Sequence, residues 1–254
     1  MSDPGLEEAI RAAGGVSELA RRIGVSQPSV SNWSRIPSGR VLAVEAATGV
    51  SRVVLRPDLF GMPAVASDMD GARAREYALL ATLLLRAPDA ALLQRLTRLC
   101  GEAGPLGTAH GALAAAADAA AETVEREYFD LFIGVGRGEF LPYASFYLTG
   151  FLHERPLARL RQDLRMLGIE RVADQCEPED HAGILCEIMS GLIDGPFAVP
   201  LEEQQRIFER HLAPWLGRFF ADLESAQRAH FYRPVGTIGR LFIEIEREAF
   251  ALPA

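Results

Sequence analysis

Lysine is absent from all 254 residues, so the 26 basic side chains are all arginine. A GC-rich coding bias accounts for such uniformity, and no arginine is read as functional from its type alone. Cysteine is scarce: Cys100, Cys176 and Cys186 are odd in number, widely spaced and outside any CxxC pair. They offer neither a zinc set nor a disulfide framework and read as buried thiols in a reducing compartment. Long apolar runs are missing too. The longest, Ala78–Leu85 and Ala112–Ala121, are too short to cross a bilayer, so no membrane contact is expected. Met1 is followed by Ser2, Asp3 and Pro4, and the Arg21–Arg22 pair by Gly24, Ser26, Gln27 and Ser29. Neither pattern is a basic segment leading into an apolar one, which predicts a cytoplasmic protein. Period-two alternation is also lacking, since the one β-rich run, Val50–Leu55, is interrupted by Ser51 and Arg52. No serine or cysteine is placed as an activated nucleophile. One histidine beside one aspartate makes no metal site. Enzymatic activity, cofactor and metal are therefore not expected.

What remains is helical spacing and an uneven charge. Residues 1–66 carry seven arginines against six acids, whereas residues 67–254 carry 19 against 28. From Arg11 to Arg40 five arginines face only Glu18. A locally basic segment on an acidic chain is the electrostatic pattern of a small nucleic-acid module joined to a different domain. The stretch Gly61–Gly71 has breakers at both ends and little periodicity. We divide the chain into a module at 1–62, a linker at 63–71 and an all-α bundle at 72–254. Helices are predicted at Ala72–Arg86, Asp89–Cys100, Thr108–Phe132, Ser145–Leu152, Pro156–Leu167, Pro178–Ile193, Leu201–His211, Pro214–Ala226 and Thr237–Phe250. Pro156, Pro178 and Pro214 open helices where a missing N–H costs nothing, and Gly134 and Gly168 suit left-handed C-caps.

Between Val16 and Arg35 the residues fit a helix-turn-helix. Leu19 and Ile23 face one core, Ala20 is small enough for a close crossing, and Gly24 supplies a turn residue tolerant of positive φ. Ser26 caps the second helix, with Pro28 in its first turn. With Val30 and Trp33 inward, Pro28, Ser31, Asn32 and Arg35 point outward and Gln27 lies at the exposed edge. Gln and Asn pair with adenine, and Arg with guanine or phosphate. The segment 5–61, through Ile36-Pro-Ser-Gly-Arg40 and Leu55-Arg-Pro-Asp-Leu-Phe60, resembles the Cro-like YdaS family. That likeness implies a compact helical module binding operator DNA. The modest net charge leaves a module kept for protein contact as a second reading.

Two segments of the larger region stand out. In Glu127-Tyr-Phe-Asp130-Leu-Phe132 a helix end runs into glycines at 134, 136 and 138, then Leu141-Pro-Tyr143-Ala-Ser-Phe-Tyr147. No GK[ST] follows and no strand precedes, which excludes a phosphate loop. In Glu177-Pro-Glu179-Asp180-His181 a helix is predicted to start at Pro178, placing Glu179 and Asp180 in its first turn and His181 ahead of a stripe of Ile184, Leu185 and Ile188. On its residues alone that segment reads first as a helix cap followed by a core histidine, and second as the mouth of a binding site.

Residues 75–250 resemble the TorD/DmsD family of chaperones for molybdenum-cofactor oxidoreductases. The matching pieces are E-Y-x-x-L-F-x-G-x-G at Glu127–Gly136, Pro142-Tyr143 to Tyr147, P-E-D-H at Pro178–His181 with Glu187 and Met189 behind it, and His211-Leu212 to Trp215 and Phe219. Val135 and Leu141 depart from the family's usual prolines. The likeness implies an all-helical fold able to form a domain-swapped homodimer. It also implies binding of a twin-arginine leader, or of the apo-molybdoenzyme catalytic subunit carrying it, such as a formate dehydrogenase. Carried onto this chain, it places Asp180 and His181 in the peptide site, with Tyr143 and Tyr147 beside them. Glu127, Asp130, Glu179 and Asp180 supply carboxylates for guanidinium pairing. A transcription regulator that senses peptide or apoenzyme is the alternative.

Overall fold

A computed structural model describes residues 3–60, 68–101, 103–120, 122–170, 177–195 and 197–252. The fold is all-α, as the spacing predicts. Among the described residues the only β pairing is an isolated antiparallel bridge between Tyr143 and His181, and no helix is long and apolar enough to cross a membrane.

Six short helices come first: α1 (Pro4–Ala13), α2 (Val16–Arg22), α3 (Gln27–Ser31), α4 (Val41–Thr48), α5 (Arg52–Leu55) and α6 (Pro57–Phe60). None is long enough to be stable alone. They hold together by burying Leu6, Ala9, Leu19, Val30, Ile36, Val44 and Leu55 in one cluster. Asp3 caps α1 by accepting from the Gly5 and Leu6 amides, and Ser26 caps α3 by accepting from Ser29 N. Gly24 between α2 and α3 takes φ +68°.

Among the described residues ten further helices build a second, larger cluster. They are α7 (Asp68–Leu85), α8 (Ala90–Leu96), α9 (Pro105–Ala119), α10 (Val124–Tyr128, continued by a π turn to Ile133), α11 (Ala144–Thr149), α12 (Arg155–Met166), α13 (Ala182–Asp194), α14 (Leu201–Ile207, continued by a π turn to Leu212), α15 (Leu216–Ser225) and α16 (Tyr232–Ala251). The main packings are α7 on α13, α15 on α16 and α16 on α9. Tyr77, Leu80, Leu185, Met189, Trp215, Phe219, Tyr232 and Phe242 fill the centre. Helix α15 approaches α16 closely because Gly236 has no side chain: a Cβ there would run into the backbone of Glu224.

Four expectations change. Helix α7 begins at Asp68, so residues 68–71 belong to it, while 63–67 of the expected linker lie outside the described residues. The expected single helix Thr108–Phe132 is two, α9 and α10. The break after Ala119 runs against alanine's helix propensity; the second helix brings Glu127 to the start of α16, where it accepts from the His230 and Tyr232 amides. Helix α16 starts at Tyr232 rather than Thr237, because Pro234 sits in the first turn, where amides have no helical acceptor anyway. Cys186 is buried, but Cys100 is exposed beyond the end of α8; Cys176 lies outside the described residues.

Candidate functional site

The Asp180–His181 segment is a stitch between two helix starts. Helix α13 begins at Ala182, not at Pro178, and His181 is its N-cap. A turn over 178–181, closed by His181 N donating to Pro178 O (3.1 Å), leads into extended backbone at His181, where the chain pairs with the start of α11: Ala144 N donates to Asp180 O (2.9 Å) and Ala182 N to Pro142 O (2.8 Å). The Asp180 carboxylate, 1% exposed, accepts from Ser145 N at 2.8 Å and so caps α11 from 35 residues away. His181 Nδ1 accepts from Gly183 N at 3.0 Å, which leaves Nε2 to carry the proton of the neutral ring. Burial brings the His181 imidazole down to about 4, against the opposing pull of Glu177 and Asp180. Tyr143 stacks edge-on against His181 and donates from its hydroxyl to Glu177 at 2.5 Å. The expected exposed first-turn acid is thus a buried cap for a different helix.

The other expected ligands are dispersed. Glu127 is buried, accepting from the His230, Phe231 and Tyr232 amides at 2.8, 3.1 and 2.9 Å, which caps α16. Asp130 accepts from Arg126 Nε at 3.0 Å, one turn away on the surface. Tyr147 packs on Trp215 and Phe219 and donates to Asp222 at 3.2 Å. Burial is the main cause raising the hydroxyl pKa of both Tyr143 and Tyr147.

Only Glu179 of the seven opens onto a large concavity. A groove of about 1080 Å³ runs between α7, α12 and α13. Ala78, Ala81, Leu85, Ile184, Ile188 and Phe197 give it an apolar floor, and Glu170, Glu179, Glu187 and Asp194 stand among its lining with Arg86, Arg161 and Arg165. Helix α13 presents Ile184, Glu187, Ile188 and Gly191 to it, the i, i+3, i+4, i+7 spacing of one helix face. The predicted stripe therefore divides: Ile184 and Ile188 line the groove, while Leu185 turns into the core. Arg161, Glu170 and Asp194 were not among the residues the sequence singled out. The signal for α13's share was legible as a stripe mixing isoleucine, acid and glycine; the α7 and α12 walls carry no such mark.

In the N-terminal module Gln27, Pro28, Ser31, Asn32 and Arg35 are exposed and Val30 is buried, with Trp33 half-buried against the core. Helix α3 ends at Ser31, so Asn32 is its C-cap and Arg35 lies beyond it. Gln27 Nε2 donates to Ser31 Oγ at 3.1 Å along the outer face. No group of three or more potential metal ligands occurs among the described residues.

Comparison with known proteins agrees with both halves. Residues 6–64 match the family described as bacterial toxin YdaS, and residues 84–221 match that described as nitrate reductase delta subunit. Among curated relatives, a chaperone protein TorD from Shewanella loihica is 27% identical over 202 residues, 70% of this chain and 92% of that protein. One from Vibrio atlanticus is 26% identical over 135 residues, 49% of this chain and 63% of the relative. One from Vibrio vulnificus is 29% identical over 120 residues, 43% and 53% respectively. The chain thus spans less than two thirds of some of the relatives it matches. With a matched segment that covers more than half of its length, the chain belongs to the nitrate reductase delta subunit family, that of the TorD-like chaperones.

Proposed function

We propose that this protein is a cytoplasmic, non-catalytic chaperone. It holds the twin-arginine leader of a molybdenum-cofactor oxidoreductase, or the apo-form bearing it, and a formate dehydrogenase type is the client in view. The groove between α7, α12 and α13 carries this reading. An extended or helical leader has an apolar stretch for the Ala81–Ile184–Ile188 floor and guanidiniums for carboxylates such as Glu179 and Glu187. Asp180, His181 and Tyr143 serve at one remove, by fixing the turn on which Glu179 stands. Glu127, Asp130 and Tyr147 belong to the support rather than the contact.

Thr82 lines the groove on α7, half-buried, and its hydroxyl only bonds back to Ala78 O. Thr82→Arg places bulk and positive charge there without touching the core. Isothermal titration with a synthetic leader of about 20 residues, paired arginines ahead of an apolar run, should show affinity reduced at least about tenfold, equivalent to 1.4 kcal/mol. The far-UV melt should be unchanged. Equal affinity in the two proteins would take the groove out of the reading.

The outward set Gln27, Ser31, Asn32 and Arg35 supports a second activity, sequence-specific duplex binding, through which the chaperone also regulates transcription. Selection from a random duplex pool with the full chain should enrich one sequence. Asn32→Ala should then lose about 1–3 kcal/mol of discrimination at one base pair. A pool that remains random after selection makes the module a protein contact instead.

A further inference from the structure

The groove already contains a guanidinium. Arg161 of α12 lies side-on to Glu179, with Nη2 at 2.8 Å from Oε2 and Nε at 3.0 and 3.1 Å from the two carboxylate oxygens. Both residues line the cavity. Their environments differ: the Glu179 side chain is 13% exposed and that of Arg161 44%. The carboxylate is sheltered and the cation is wet. An ion pair with one partner that open to solvent contributes little to the fold, so its cation can be exchanged at little cost to stability. The pairing covers both Glu179 oxygens, the same geometry that an incoming arginine side chain would adopt.

We propose that Arg161 is an internal placeholder for a ligand guanidinium, so that an arginine-bearing segment enters by displacing it from Glu179. This rests on the groove being the peptide site. Arg161 is then a specificity-determining residue. It occupies both Glu179 oxygens in the empty groove and sets a threshold that isolated arginines on passing proteins do not overcome. Once released, its long side chain swings into water, since the backbone of α12 holds only its stem.

The test is a double-mutant cycle on the full chain, titrated calorimetrically with a 20-residue peptide carrying paired arginines before an apolar run. Arg161→Gln should bind the peptide about three- to fivefold more tightly than the parent at low salt, the worth of a lost exposed ion pair. The gain should shrink as ionic strength rises. Glu179→Gln should bind more weakly, and adding Arg161→Gln to it should change nothing. A control peptide with both arginines replaced by glutamine should show no gain. Equal or weaker binding by Arg161→Gln, or a gain that persists without the Glu179 carboxylate, overturns the placeholder. If the peptide binds neither the parent nor any variant, the groove reading falls and the placeholder with it. Parent binding without the Arg161→Gln gain sinks the placeholder alone.

Discussion

Glu127→Ala should destabilise the protein by about 3–5 kcal/mol, read as a shift in denaturant midpoint at unchanged slope. The carboxylate is buried and takes three backbone N–H donors at the start of α16. Each hydrogen bond to a charged group contributes about 1.5–3 kcal/mol, and donors left unmatched in the interior add a desolvation cost. The sum stops short of simple addition because His230 is exposed and its amide can turn to water. Asp130 is the matched control. Its partner Arg126 is on the same surface turn, so Asp130→Ala should cost under about 1 kcal/mol. This contrast separates capping from ligand binding at two carboxylates three residues apart. A Glu127→Ala loss below about 1 kcal/mol would mean that the amides do not need it.

Arg73→Leu should be similarly damaging, by about 3–5 kcal/mol, through the group it abandons. Arg73 on α7 grips Glu246 of α16 with Nε at 2.7 Å and Nη2 at 2.9 Å, while Tyr77 donates to the same carboxylate at 3.0 Å. The Glu246 side chain is 1% exposed. Removing one partner of such a pair leaves a charge uncompensated in the interior, whereas removing both is often neutral. The double variant Arg73→Leu/Glu246→Leu should therefore recover most of the loss. A single variant that melts like the parent, or a double variant no better than the single, would show the pair to be dispensable.

The buried carboxylates Asp180 and Glu127 also show where sequence reading stops. The fold class was legible, because 3.6-residue spacing with capped starts occurs throughout and no alternation competes with it. The helix-turn-helix was legible in detail: Leu19, Gly24, Ser26, Pro28 and Val30 interact within fifteen residues, and local chemistry decides their roles. The larger region differs. Asp180 belongs to a helix 35 residues earlier and Glu127 to one 103 to 105 residues later. A carboxylate that caps a distant helix looks, in sequence, like a charge waiting for a ligand. The start of α13 was misplaced for the same reason, since Pro142 and Ala144 claim the backbone at 180–182 that Pro178 suggested would be helical. The groove was half legible: α13 shows its stripe, but Arg161 on α12 and the α7 wall reach it only through packing.

The two buried carboxylate clusters have a kinetic corollary. Arg73 and Glu246 are 173 residues apart, and Glu127 waits for amides near residue 231. While the chain is being synthesised, α7 to α15 can form and collapse. Throughout that interval Arg73 has only Asp70 on its own helix and Gln204 for partners, and Glu127 lacks the three amides it caps. Closing contacts this distant in sequence is entropically expensive and slow. The unfinished bundle therefore keeps those charges at its surface and its apolar seam for α16 open. Helix α16 (Tyr232–Ala251) acts as the closing strap, and a nascent chain halted before Tyr232 is a collapsed, aggregation-prone intermediate.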